Sequence, residues 1–530
     1  MKKLPDLEYL KLNKFQRLWY NFLMFLAAIP LFFVKLGKGI VKFFVDLGIE
    51  IKDGVLDICR TFRYGNWAVK LSFLIFGMGN LYYGQILRGL LFLLFEAVFF
   101  AYMFVPSGGI HWLSKVNWFQ TGETVGTVQG GKVVETIDFN GMSMEVEKWV
   151  SGDDSVKVLL YGLLTVAFIV AFIWTWRLQL KQCSICMDIT AKGKKVKSGK
   201  DDLKSLLDDQ FHKTLLALPV VGILAFTVLP IIFMVLIAFT SYDAAHDGYA
   251  NLFTWVGWDH FNELFNFSEG GLGVAFGEIL SWTLMWSFFA TFTNYFLGMF
   301  VAILINKRGI RLKKLWRTAL VMTIAIPQFV SLMYVSKLFD SSGIIGELLG
   351  NIPAVKEYLT ANHYISLWDS PTVARVLVIL LNIWVGIPHM MLQASGILMN
   401  IPQDLYESSR VDGASAFQQY TKITLPYMLF VTGPYLLTSF VGNLNNFNVI
   451  YLLTGGTGNP INTDIGTAGG VSVGHTDLLI TWLYKMTLGS ADTRYYDASI
   501  IGICVFLVVA VLSLIVYNVI PSTKNEEDYK

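Results

Sequence analysis

Eight stretches of this chain are apolar for roughly twenty residues or more. They run Ile86 to Val105, Val156 to Trp176, Thr214 to Thr240, Ile279 to Ile305, Thr318 to Phe339, Thr372 to Leu398, Tyr427 to Leu453 and Ala498 to Ile520. Such a run is long enough to cross a bilayer as a helix. Inside the hydrocarbon only helices and closed barrels satisfy the backbone. The pattern therefore predicts an all-α polytopic membrane protein with about eight transmembrane helices. Composition agrees: 54% of the 530 residues are hydrophobic and 15% are charged, against about 25% charged residues in a soluble domain. A formal net charge of +2 gives no reason to expect a nucleic-acid partner.

Charge in the loops sets the orientation. Nine Lys and Arg residues lie between Arg177 and Lys213, and six more follow the fourth run, at Lys307, Arg308, Arg311, Lys313, Lys314 and Arg317. Both loops are predicted to be cytoplasmic, which places the two termini in the cytoplasm too. The loop between them, from Ser241 to Gly277, has neither Lys nor Arg. Four regions follow: an extension over 1–66, accessory spans over 67–213, a core over 214–520 and a tail over 521–530. The first seventeen residues are polar and no small-residue cleavage site follows, so no cleavable signal peptide is expected.

Within the extension, Leu18 to Val34 is apolar but contains Pro30, and Lys35, Lys38 and Lys42 follow. A proline-interrupted helix in the cytoplasmic interface, with its lysines towards anionic lipid headgroups, fits this pattern. A true span is the alternative. Trp67 to Tyr83 is rich in glycine and runs almost directly into the first span, as a re-entrant or interfacial turn would. Glu96 within that span is either functional or a polar contact inside the bundle. Residues 106–155 read as a small outer loop containing β-structure. Cys183 and Cys186 form a lone C-x-x-C and read as incidental cysteines beside a helix end.

The chemistry the chain lacks narrows its function. It has no G-x-x-x-x-G-K-[ST] phosphate loop, no H-E-x-x-H and no metal cluster, so no cofactor of its own is expected. Spans three, four, seven and eight, as bounded above, contain no acidic residue. That argues against a proton-coupled transporter, which needs titratable groups there. Two polar stripes stand out instead. Asn382, Gly386 and His389 are spaced i, i+4 and i+7 in the sixth run, and Ser439, Asn443 and Asn446 have the same spacing in the seventh. Residues at that spacing share one helix face. Uncharged amides and hydroxyls suit a ligand dense in hydroxyls, such as a sugar, and Trp384, Phe440 and Phe447 could stack on its rings. The alternative is helix packing, a common use of Ser, Asn and Gly in membranes.

Between the two stripes lies a polar stretch, 401–426. Ile401-Pro402-Gln403-Asp404 opens it, with Asp404 in the N-cap position. Glu407-Ser408-Ser409 follows, then Asp412-Gly413, and Ile423-Thr424-Leu425-Pro426 closes it. The pattern predicts a short helix–bend–helix with the bend at Gly413. It resembles the EAA loop of ABC importer permeases, with Ser408 and Ser409 in place of the two alanines. A membrane scaffold with a docking loop is the plainer alternative.

From Thr214 to Ile520 the sequence is similar to the larger permease subunit of maltose/maltodextrin ABC importers, most densely from Ser370 onward. SPTVARVLVILLNIWVGIPHMM, SFVGNLNNFNVIYLLTGG and GHTDLLITWLYKM carry this resemblance together with the loop. It implies the type I importer fold and a sugar cavity at Ile324, Gln328, Asn382, Val385, Gly386, His389, Ser439, Gly442, Asn443 and Asn446. It also implies ATPase coupling through Glu407, Ser408, Ser409, Asp412, Gly413, Ile423, Leu425 and Pro426. The implied partners are a second permease subunit, two ATPase subunits holding ATP and Mg, an extracellular sugar-binding protein, and an oligosaccharide as cargo. Ile324, Gln328, His389 and Gly442 depart from the family's residues, which leaves the particular sugar open. The short loop after the third span and the long extension look more like Gram-positive members.

Overall fold

The computed structural model describes residues 14–139, 142–196, 204, 208, 211–249, 251–267, 272–307, 309–456, 473–488 and 493–519. The tail over 521–530, Arg308 and the last four residues of the basic run from Lys192 to Lys200 lie outside the described residues. Apart from one two-stranded hairpin, the described elements are helical. Seven helices are long and apolar enough to span a membrane, and the bent fifth one makes eight. The protein is a multi-pass membrane protein. The backbone divides into two compact units, 1–233 with 248–252 and 234–247 with 253–530.

The first unit opens with α1 (Lys14–Tyr64), 51 residues long. Pro30 does not interrupt it, contrary to the pattern. A proline removes one ladder hydrogen bond, and here the helix resumes on both sides of that gap. The glycine-rich stretch is a broken helix, with α2 (Trp67–Leu71) and α3 (Met78–Tyr82) joined by a non-helical turn. The first span follows as α4 (Ile86–Phe104), then α5 (Gly109–Lys115). The loop over 106–155 carries the expected β-structure, β1 (Gly131–Phe139) paired antiparallel with β2 (Met142–Val150). The second span, α6 (Ser155–Ala191), continues fifteen residues beyond Trp176. Cys183 and Cys186 are therefore inside a helix and buried, not beside its end. Neither is in a disulfide, and no group of three metal-ligating side chains forms among the described residues.

Non-helical backbone at this depth needs partners, and three side chains supply them. Glu96 of α4 accepts the Phe76 amide at 2.8 Å. Gln179 of α6 accepts the Gly77 amide at 3.1 Å and donates to the Ser72 carbonyl at 2.5 Å. The Ser72 hydroxyl accepts the Gly79 amide. Gly77 has φ +79°, and a Cβ there would strike the backbone of Gly89. Glu96 is thus a partner for the broken helix, the structural alternative left open by the sequence. Phe76, Phe99 and Phe172 stack beside it.

The third span, α7 (Phe211–Ile237), carries a π-helical turn over Leu224–Val228. A short α8 (Asp259–Leu264) then precedes the second unit's central helix, α9 (Leu272–Asn306). The fifth span splits at Pro327 into α10 (Lys313–Ala325) and α11 (Gln328–Phe339), and the chain bends there by 92°. Proline leaves the residue before it extended, and Ile326 has ψ 129°. Two short helices, α12 (Ile344–Gly350) and α13 (Pro353–Ala361), lead to the sixth span, α14 (Pro371–Leu398). Next come α15 (Gln403–Val411), α16 (Ala416–Gln419) and α17 (Leu425–Leu444). The chain ends in α18 (Phe447–Thr454), α19 (Leu479–Leu488) and α20 (Tyr495–Val519).

Small residues let α9 and α14 pack closely: Gly298 meets Met390 directly. Tyr295, Met299 and Ala302 of α9 are buried with Met391 and Ala394 of α14 and Met428 of α17. α19 lies between the seventh and eighth apolar runs, and its Trp482 and Met486 are fully buried against Ile279 and Ile500. Asp477 and Lys485 pair at 2.7 Å and tie α19 to the carbonyl of Gly456. α9 and α20 also start earlier than their apolar runs. They bring in Glu278 and the buried Asp497, correcting the expectation of acid-free fourth and eighth spans.

Candidate functional site

Four elements of the second unit enclose a cavity of about 400 Å³: α9, the α10–α11 bend, α14 and α17. That lies within the roughly 300–1,000 Å³ of small-ligand sites. The bend contributes Ile324 and Gln328, the latter being the first residue of α11. From α14 come Asn382, Val385, Gly386 and His389, with Trp384 beside them; from α17 come Ser439 and Asn443. Eight of the ten residues expected at a sugar site therefore line one cavity.

Gly442 and Asn446 do not line it. Gly442 is exposed, with open space where a Cβ would be. Asn446 was expected on the same helix face as Ser439 and Asn443. However, α17 ends at Leu444, so the i+7 relation fails. Asn446 instead caps α18, its side chain accepting the Val449 amide at 3.3 Å. It still reaches the site at second hand, because its amide donates to Asn443 Oδ1 at 3.2 Å. Asn443 in turn donates to Thr291 at 3.0 Å, and its carbonyl accepts the Trp286 indole at 3.2 Å. Of the three rings expected to stack, only Trp384 lines the cavity; Phe447 packs on Tyr451 and Tyr484.

Sequence reasoning missed the contribution of α9. Thr291, Asn294 and Tyr295 line the cavity, as do Thr323, Ser331 and Tyr435. Thr291, Asn294 and Gly298 follow an i, i+3, i+7 spacing in a mostly apolar helix, the same kind of signal that identified the other two stripes. The wall is mostly uncharged: amides and hydroxyls between aliphatic and aromatic side chains.

The polar stretch 401–426 folds as the expected helix–bend–helix. Gly413 has φ +76°, a left-handed turn between α15 and α16. Pro402, not Asp404, is the N-cap of α15, and Asp404 sits in the first turn. The side-chain cap falls at α16 instead, where Ser415 and Gln418 form a capping box. Glu407, Ser408, Asp412, Gly413 and Pro426 are exposed, whereas Ile423 and Leu425 are half-buried. Ser409 turns inward: its hydroxyl donates to the Tyr406 carbonyl at 2.9 Å and accepts from Gln419 at 2.8 Å. Tyr406 and Thr424 share a further hydrogen bond of 2.8 Å. The loop is thus a rigid unit with exposed apolar side chains at Val411 and Phe417.

Residues 294–525 match the family described as binding-protein-dependent transport system inner membrane component. The maltodextrin transport system permease protein MalC of Streptococcus pneumoniae is 30% identical over 376 residues, covering 69% of this chain and 82% of that protein. The chain belongs to this family of permeases. The galactooligosaccharides transport system permease protein GanP of Bacillus subtilis is 32% identical over 68% of this permease and 82% of its own length. The maltose/maltodextrin permease MalF of Escherichia coli is 33% identical, over 49% of this permease and 48% of MalF. The family match begins at Asn294, so it contains the α10–α11 bend, α14, the polar stretch 401–426 and α17, but not Thr291.

Proposed function

We propose that this permease carries an oligosaccharide of the maltodextrin class across a bacterial cell membrane as one half of a permease pair. The observation behind this reading is the cavity itself. Amides and hydroxyls of Gln328, Asn382, Ser439 and Asn443 converge there beside Trp384, in helices otherwise apolar. Neutral donors and acceptors beside an aromatic face match a sugar, which is rich in hydroxyls and carries apolar ring faces. Energy enters from two separate ATP-binding-cassette subunits that hold ATP and Mg, and this chain has no ATPase site of its own. The exposed face of the coupling loop, with Glu407 and Asp412, docks on one ATPase. Closure of the ATPases then rocks the bundle and alternates access to the cavity. A binding protein delivers the sugar from outside, and both termini of this chain are cytoplasmic.

A second reading keeps the importer and changes the cargo. GanP is 32% identical to this chain against 30% for MalC, over nearly the same share of it, which favours a galacto-oligosaccharide as the rival substrate. The deciding experiment is ATPase activity of this chain reconstituted with its second permease, ATPase and binding protein. Stimulation by α-glucans supports the maltodextrin reading. Stimulation by β-galactosides alone transfers the assignment to the second reading. No stimulation by any oligosaccharide, with the complex intact, overturns both.

A further inference from the structure

The first unit has a cavity of its own, about 770 Å³, between the end of α1, the broken helix of α2 and α3, and the last turns of α6. Arg60 and Tyr64 line it from α1, and Ser184 and Asp188 from α6. Asn66 and Tyr83 line it from the two ends of the broken helix. These two ends are tied together, because the Asn66 amide donates to the Tyr83 hydroxyl at 3.4 Å.

The lining holds one cation and one anion on different helices. No ion pair joins Arg60 or Asp188 to the other or to any other described residue. The cavity also lies where the apolar surface of the first span begins. α4 starts at Ile86, three residues after Tyr83, and its Leu87, Leu90, Leu91 and Leu94 are exposed. Beside the cavity, Trp67 meets Tyr82 edge-on at 6.0 Å, and Tyr82 meets Tyr83 at 5.3 Å. Trp and Tyr gather at this depth of a membrane protein, among the lipid headgroups.

We propose that this cavity holds the headgroup of a phospholipid bearing both a phosphate and a primary ammonium, as phosphatidylethanolamine does. Arg60 donates to the phosphate, and the ammonium donates to the Asp188 carboxylate. Tyr64 and Tyr83 place aromatic rings in the same space, where a cation is attracted to a ring face. The acyl chains lie along the exposed leucines of α4. A purely anionic headgroup leaves Asp188 facing like charge, and a quaternary ammonium has no N–H to donate to it. The bound lipid joins α1, the broken helix and α6, independently of which sugar the permease carries.

The test labels the complete reconstituted transporter with a photoreactive phosphatidylethanolamine and maps the labelled peptides by mass spectrometry. Labelling is expected on the end of α1, on the broken helix and on the last turns of α6. Unlabelled phosphatidylethanolamine should compete roughly threefold better than phosphatidylglycerol or phosphatidylcholine with the same acyl chains, the size expected of one exposed charge pair. Asp188→Asn should erase that preference while labelling persists. Arg60→Gln should weaken labelling by every phospholipid, and Arg60→Lys should retain most of it. Labelling confined to other helices overturns the site. Equal competition by the three lipids, or a preference that survives Asp188→Asn, overturns the headgroup assignment. Loss of labelling with millimolar soluble O-phosphoethanolamine overturns the lipid as occupant and gives the cavity to a soluble phosphoamine.

Discussion

Asn443 of α17 donates to the Thr291 hydroxyl of α9 across 3.0 Å, and this bond joins two helices of the cavity wall. Asn443 also accepts from Asn446, so one amide links the wall to the cap of α18. Asn443→Leu leaves both neighbours without this partner, at about 1–3 kcal/mol for each buried group. Uptake should be lost while the complex still assembles. Adding Thr291→Val to Asn443→Leu should recover part of the thermal stability without recovering uptake. Full uptake in Asn443→Leu would mean that the bond only packs helices.

Glu96 gives a stability prediction in the first unit. Its carboxylate accepts the Phe76 amide where the chain between α2 and α3 is not helical. Glu96→Leu should cost about 1–3 kcal/mol, because that amide loses its acceptor in a buried setting. Glu96→Gln keeps an acceptor oxygen and should cost less. Thermal unfolding of the purified protein in nanodiscs checks the order Glu, Gln, Leu. A Leu variant as stable as the parent would contradict the role assigned here.

The polar loop 401–426 separates outward from inward residues. Glu407 is exposed, so Glu407→Lys should insert and fold normally but abolish sugar-stimulated ATPase activity. Gly413→Asp is expected to do the same, because the left-handed turn at φ +76° tolerates Asp at some strain while the added side chain blocks close approach of a partner. Intact uptake in both variants would remove the loop from the coupling path. Ser409→Ala differs in kind: it breaks the bond to Gln419 and should loosen the loop by about 1 kcal/mol, seen as faster hydrogen exchange over α15 and α16.

Asp153 supplies a pH dependence outside the spans. Burial opposes its ionisation, but the Lys115 ammonium and the amides of Thr127 and Val128 outweigh burial and hold its carboxyl below the usual carboxylate range. A carboxylate with a depressed folded pKa stabilises the fold above its unfolded pKa of about 3.9. That stability is lost as pH falls through the lower folded value. Thermal stability followed from pH 7 down to pH 3 should therefore drop more steeply in the wild type than in Asp153→Asn. Parallel curves would show that the ion pair with Lys115, 2.7 Å long, contributes nothing.

Much of this protein is legible in its sequence because the signals are local. A twenty-residue apolar run declares a membrane helix wherever it lies. A proline marks the break at Pro327, and a glycine between helical segments marks the bend at Gly413. The cavity residues of α14 were readable for the same reason, since one unbroken helix keeps Asn382, Gly386 and His389 on one face.

What only the tertiary structure decided depends on neighbours. Asn446 carries the spacing of a cavity residue, but α17 ends at Leu444 and turns Asn446 into a cap for α18. Ser409 holds the loop's two helices together only because Gln419, ten residues on, comes back to meet it. Glu96 gained its role from a turn twenty residues earlier. Thr291 and Asn294 went unnoticed because a polar stripe in an apolar helix reads the same whether it faces a cavity or another helix. Periodicity fixes which residues share a face, but only packing fixes what that face meets.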